Sequence, residues 1–103
     1  MTSRQNIIDK SLMRISRIFH IPIAEIHREL RFGVDLKPGF VSDFRDNELD
    51  IINYDLHDAA TKGIRADLIA GRIVIKTVGD YCEFMLRCSE FNQKRVESIL
   101  DET

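Results

Sequence analysis

The sequence predicts a single all-α domain over residues 1–103, and three observations lead to that prediction. Apolar residues recur at helical spacing through residues 4–20. Two later segments begin with Asn47 and Thr77, residues that favour a helix N-terminus. The composition, with 44% hydrophobic and 31% charged residues, is typical of a chain that folds around a modest core.

The first helix is predicted over residues 4–20, where apolar residues recur at spacings of four, three and four. This stripe consists of Ile8, Leu12, Ile15 and Phe19, and Ile7 and Ile18 widen it. The bases that we expect to stay off the stripe are Arg4, Lys10, Arg14 and Arg17. Pro22 ends the helix near His20, because the residue before a proline disfavours helical angles.

An elaborated loop is predicted over residues 27–39, because Gly33 and the Pro38-Gly39 pair would break any helix there. We expect the loop to place apolar side chains over the helices, namely Leu30, Phe32, Val34, Leu36 and Phe40. Their alternation also suits a short extended segment.

The second helix is predicted from about Glu48 to Lys62, with Asn47 as its N-cap and Asp50 reaching back to the cap. Gly63 is the expected C-cap. The inner face is formed by Leu49, Ile52, Leu56, Ala59 and Ala60. The residues expected to point mostly outward are Asp50, Asn53, Asp55, His57 and Asp58.

A brief third helix at residues 66–70 is expected to end at Gly71, and the last helix begins after Thr77. The last helix has a core face of Val78, Tyr81, Cys82, Met85 and Cys88. It is expected to continue to Leu100, where apolar side chains could form a dimer contact, namely Phe91, Val96, Ile99 and Leu100.

Charge and motifs exclude several functional classes. The net charge is −2, and residues 43–58 hold six acids against one base, which disfavours nucleic-acid binding. No apolar run approaches eighteen residues and the N-terminus lacks a signal peptide, so a cytoplasmic protein without membrane contact is expected. The two cysteines and three histidines form no metal-ligand motif. The sequence also contains no recognisable nucleophile–base pair or phosphate-binding loop, so an enzyme is not expected.

Residues 40–50, Phe-Val-Ser-Asp-Phe-Arg-Asp-Asn-Glu-Leu-Asp, resemble the segment of acyl carrier proteins that carries their prosthetic group, typically F-V-E-D-L-G-A-D-S-L-D. The shared residues are Phe40, Val41, Asp43, Leu49 and Asp50. Gly63-Ile64 and Thr77-Val78-Gly79-Asp80 also match that family in the same order. The resemblance covers most of residues 4–90. It implies an acyl-carrier-protein-like four-helix bundle with an elaborated loop between its first two helices.

Glu48 stands where that family has the serine that carries phosphopantetheine. A carboxylate cannot replace the hydroxyl, because attack on the same phosphorus would give a labile mixed anhydride. The resemblance therefore implies a carrier-like domain of fatty acid or polyketide metabolism that has lost its prosthetic group. Carrier domains present acids to basic patches of partner proteins such as synthases, and here Glu48, Asp50, Asp55 and Asp58 would supply that face.

Ser42 is the alternative attachment site. Gly39 lies three residues before it, and the family's serine usually has a glycine at that position. In that register the chain would be a working carrier with 4′-phosphopantetheine on Ser42. The Glu48 register keeps the downstream landmarks with fewer inserted residues, so we favour it.

Overall fold

The computed structural model describes residues 2–39 and 47–102, and the described part of the chain is helical. Its helices are α1 (Thr2–Phe19), α2 (Glu48–Ala59), α3 (Lys62–Ile69), α4 (Val78–Ser89) and α5 (Gln93–Leu100). A 3₁₀ turn at Ile23–Glu25 follows α1. The described residues form only two isolated β-bridges and no strand. The all-α prediction is confirmed, and the described residues form five α-helices where four were expected.

Four of these helices, α1, α2, α4 and α5, contact one another in every pairing, whereas α3 lies outside this group. The most extensive contact joins α1 to α4. Helix α4 is the centre of the core, and its predicted apolar face is buried as expected: Val78, Tyr81, Cys82, Met85 and Cys88. Both cysteines are free thiols, and both are buried in the way that small hydrophobic side chains are.

Helix α1 buries part of the predicted stripe most deeply, together with two polar residues that were not predicted to be buried. The most buried side chains are Ile7, Ser11, Arg14, Ile15 and Ile18. Ile8, Leu12 and Phe19 are only partly buried. The expectation that Arg14 stays off the apolar stripe is wrong: it is 8% exposed, because an acid on α2 pairs with it. The buried face of α1 is therefore rotated around the helix axis toward Ile7, and it includes Arg14 with its paired carboxylate.

The loop after α1 packs onto the segment that precedes α4. The backbone N–H of Phe32 donates to Lys76 (2.9 Å), and that of Val78 donates to Leu30 (2.9 Å). The Phe32 ring stacks near Phe19, with centroids 6.2 Å apart. Among the apolar residues of this loop, Leu36 is buried, whereas Val34 is half exposed and Phe40 lies outside the described residues. The predicted covering loop is therefore observed over its described part.

The junction between α2 and α3 differs from prediction. Helix α2 ends with Ala60 as its C-cap, and Thr61 caps α3 by accepting from the Ile64 N–H (3.2 Å). Gly63 therefore lies in the first turn of α3, and the prediction that it caps α2 is wrong. A threonine N-cap can start a new helix where the glycine alone suggested an end.

Gly71 ends α3 as expected. Its φ is +78°, and its N–H donates to Leu68 (3.2 Å) while the Arg72 N–H donates to Asp67 (2.9 Å). This pair of bonds is the Schellman arrangement, which needs a left-handed residue at the position of Gly71.

The last predicted helix is divided in two. Helix α4 ends at Ser89, and Asn92 caps α5 by accepting from the Arg95 N–H (3.1 Å). The apolar side chains of α5 are buried inside the same chain: Val96, Ile99 and Leu100. They are not available for the suggested dimer contact, and of that set only Phe91 is exposed. No helix of the described residues combines the length and hydropathy needed to cross a bilayer.

Candidate partner-binding surface

The start of α2 is held by a complete capping box. The Asn47 side chain accepts from the Asp50 N–H (2.9 Å), and the Asp50 carboxylate accepts from the Asn47 N–H (3.1 Å). The predicted role of both residues is confirmed. Glu48 and Asp50 also place negative charge at the positive end of the helix dipole. The capping box therefore fixes the conformation of the first turn of α2.

A hydrogen bond from the preceding loop to Glu48 connects that loop to the first turn of α2. The Glu48 carboxylate accepts from the Gly39 N–H at 2.9 Å, and the side chain is partly exposed. A Cβ on Gly39 would lie 3.4 Å from the Glu48 Oε1 atom, which is the end of a flexible side chain. The carboxylate thus has a structural partner at the position that the resemblance in residues 40–50 assigns to that family's serine. The residue present does not fit a covalently attached prosthetic group. Ser42, the alternative position, lies outside the described residues.

Two of the predicted acids, Asp50 and Asp58, lie on the exposed side of α2 with Tyr54 between them. Residues four apart on a helix are offset by about 40° and about 6 Å, so these three form one continuous stripe. The Tyr54 side chain is 50% exposed. We call Asp50, Tyr54 and Asp58 the α2 stripe.

The charge of the α2 stripe is uneven along its length. At the C-terminal end of the helix, Arg65 donates to the His57 carbonyl (3.0 Å) and Arg95 donates to the Asp58 carbonyl (3.1 Å). These guanidinium groups complement the negative end of the helix dipole. Asp58 therefore lies at the end of the stripe where two guanidinium groups bind the last carbonyls of the helix.

Asp55 is not part of this surface, and the expectation that it points outward is wrong. It is 3% exposed and lies on the inner side of α2. The physical reason is its helical position, since Ile52, Asp55, Leu56 and Ala59 share one face at spacings of three, one and three. Asp55 therefore offers no carboxylate to a partner protein.

Asp55 instead joins three helices in a buried polar triad with Arg14 and Tyr81. The Arg14 guanidinium donates two bonds of 3.0 Å to the Asp55 carboxylate, one from Nε and one from Nη2. The Tyr81 hydroxyl donates to the same carboxylate at 2.8 Å. Arg14 Nη1 also donates to the Glu102 carbonyl (3.0 Å), so the triad reaches the end of α5. A bidentate pair of this kind fixes both position and orientation.

The triad changes the proton affinity of its members. Burial acts to lower the pKa of Arg14, but hydrogen bonding and attraction to Asp55 outweigh it, so the pKa is raised. Burial raises the pKa of Tyr81 well above its ordinary value, and the neighbouring Asp55 carboxylate adds to that rise. The arginine stays charged and the phenol stays neutral, so both donate to Asp55.

Sequence reasoning missed Tyr54 and Arg14 as site residues. The spacing of Asp50, Tyr54 and Asp58 at four and four was a usable signal for the α2 stripe. The position of Asp55 among apolar residues of helical spacing was a signal for burial. Nothing in the sequence paired it with Arg14, which lies 41 residues away.

Comparisons with protein-family models, with curated proteins and with solved structures found no match to this chain. Among the described residues, no group of three histidine, cysteine or acidic side chains could hold a metal ion.

Proposed function

We propose that this chain is an acyl-carrier-protein-like domain that binds a basic patch on a partner protein through the α2 stripe and carries no phosphopantetheine at Glu48. The observation that carries the proposal is the exposed aromatic and acidic stripe on a helix whose first turn is fixed by a capping box. The partner would be an enzyme of the fatty acid or polyketide synthase type, as the resemblance in residues 40–50 implies.

The composition of the α2 stripe supports binding to a protein. Tyrosine is enriched among the residues that dominate interface energies, because it buries a large area while its hydroxyl keeps a polar partner. Acids beside such an anchor set the rate and the choice of partner more than the final affinity. Tyr54 is thus the proposed anchor, and Asp50 is the main steering charge.

The interactions of Glu48 support the proposal that this chain carries no prosthetic group at that position. The Glu48 carboxylate is engaged by the Gly39 N–H, and it places a negative charge at the helix N-terminus. A carrier loaded with phosphopantetheine would present a phosphodiester at this point. Glu48 can therefore reproduce the charge that a partner meets there without the covalent arm. The competing hypothesis is a carrier loaded with 4′-phosphopantetheine on Ser42.

A competition assay tests the binding proposal. The chain should inhibit the modification of an ordinary acyl carrier protein by a broad-specificity phosphopantetheinyl transferase, because both would dock on the same basic patch. Tyr54→Ala should weaken inhibition by about ten-fold or more, the loss of a central aromatic anchor. Asp50→Asn keeps an oxygen for the capping box and should weaken inhibition several-fold, most at low salt.

The matched control is Glu90→Gln, which removes an exposed acid from the end of α4. It should inhibit like the wild type. Circular dichroism would confirm that every variant keeps its helices. The proposal fails if the wild-type chain does not inhibit, or if Glu90→Gln weakens inhibition as much as the stripe variants do.

A further inference from the structure

The α2 stripe places an aromatic ring one helical turn from an exposed carboxylate. The Tyr54 side chain is half exposed, and Asp50 lies four residues before it, about 6 Å along the helix axis. Long side chains on an α-helix lean toward its N-terminus, so the Tyr54 ring lies over the turn that carries Asp50. A group that docks on the ring therefore also meets the Asp50 carboxylate.

The Asp50 carboxylate keeps acceptor capacity beyond its role in the capping box. Its Oδ2 atom accepts from the Asn47 N–H at 3.1 Å, and among the described residues no donor binds its Oδ1 atom. An ionised carboxylate offers about four lone-pair positions. The capping box thus holds this side chain in place and leaves most of these positions for a donor from a partner protein.

Asp58, at the other end of the stripe, is a less favourable partner for a cation. Arg95 donates to the Asp58 carbonyl (3.1 Å), and Arg65 donates to the neighbouring His57 carbonyl (3.0 Å). An arriving cation would lie close to these two like charges. Among the described residues, by contrast, no basic side chain forms an ion pair with Asp50.

We propose that the partner protein binds the α2 stripe through an arginine rather than a lysine, with the guanidinium stacked on Tyr54 and paired with Asp50. This inference rests on the proposed function, because it names the cation that the basic patch presents to the stripe. A guanidinium is planar, so it can stack on an aromatic face while the N–H groups at its edge bind a carboxylate. A lysine ammonium is a compact and strongly hydrated charge that lacks this geometry.

An NMR titration of the full chain with two peptides tests the inference. The probes are hexa-arginine and hexa-lysine with blocked ends, which carry equal charge, and the backbone amide signals of α2 report binding. The titration is made at low salt, because screening weakens contacts between exposed charges. Hexa-arginine should bind at least about two-fold more tightly than hexa-lysine, the smallest effect expected of an exposed cation–π contact.

Four variants assign the preference to named groups. Tyr54→Leu keeps an apolar side chain without a ring, and it should lose most of the preference for hexa-arginine. Tyr54→Phe keeps the ring and should keep the preference. Asp50→Asn keeps an oxygen for the capping box and should weaken the binding of hexa-arginine several-fold. Glu90→Gln, which lies outside the stripe, should change neither affinity at α2.

Equal affinity of the two peptides for the wild type would overturn the inference, and so would a preference that Tyr54→Leu retains in full. Equal affinity with saturable shifts in α2 would leave the proposed function intact, since a patch of lysines would then bind the stripe as well. Failure of the proposed function would give a different result, the absence of α2 shifts with either peptide. The comparison of peptides on the wild type needs no variant, so it decides the question even if a variant fails to fold.

Discussion

Replacing Asp55 with alanine is expected to lower the free energy of unfolding by about 3–5 kcal/mol, the usual cost of removing one partner of a buried ion pair. The substitution leaves the Arg14 guanidinium, 8% exposed, without the carboxylate that receives two of its bonds. It also leaves the Tyr81 hydroxyl, in a fully buried side chain, without its acceptor. Urea unfolding followed by circular dichroism would measure the loss.

Two further variants separate the loss of the triad from the general effect of removing an acid from α2. Asp58→Ala removes an exposed acid from the same helix and should change the unfolding free energy by no more than about 0.5 kcal/mol. The double variant Arg14→Met with Asp55→Leu should be more stable than Asp55→Ala, because no charge is left buried alone. If Asp55→Ala costs no more than Asp58→Ala, the triad does not hold the helices together as described.

Alkaline pH is expected to destabilise the fold through the two buried thiols. Burial raises the pKa of Cys82 and of Cys88 from an ordinary 9.0 to about 11. A group whose pKa is higher in the folded state contributes its stability below the unfolded pKa and loses it as pH rises to the folded pKa. The unfolding free energy should therefore fall between pH 9 and about 11, by on the order of 2 kcal/mol for each thiol.

The measurement is urea unfolding at a series of alkaline pH values in the presence of a reductant. The matched protein is the double variant Cys82→Ala with Cys88→Ala, which should start less stable but lose less stability between pH 9 and 10. Tyr81 remains in both proteins, so both should lose stability above its ordinary pKa of 10.0. An identical slope in the two proteins would show that the thiols do not titrate in this way.

Local signals in the sequence predicted most helix boundaries. The start of α2 at Asn47 and the start of α4 at Thr77 follow from cap chemistry that acts over three residues. Gly71 ended α3 because only a left-handed residue completes the turn. Such signals are contained within one helical turn, so one sequence suffices to find them.

The errors have two physical origins, a contact between distant residues and local caps that mark a helix start without proline or glycine. Asp55 was assigned to the surface because an isolated acid is costly to bury, and only Arg14 on another helix removes that cost. The break between α4 and α5 has no proline or glycine to mark it, and its sequence signal is the N-cap Asn92 alone. The α2 stripe could have been found from spacing alone, because its three residues lie four apart on one helix.

The central claim, a carrier-like domain whose α2 begins with a residue that cannot carry a prosthetic group, is tested most directly by intact mass. The chain would be incubated with coenzyme A, magnesium and a broad-specificity transferase. We expect no mass gain for the wild type and a gain of one phosphopantetheine for Glu48→Ser, with Ser42→Ala matching the wild type. A gain on the wild type that Ser42→Ala abolishes would contradict the claim, and the absence of any gain on Glu48→Ser would contradict the carrier-like assignment itself.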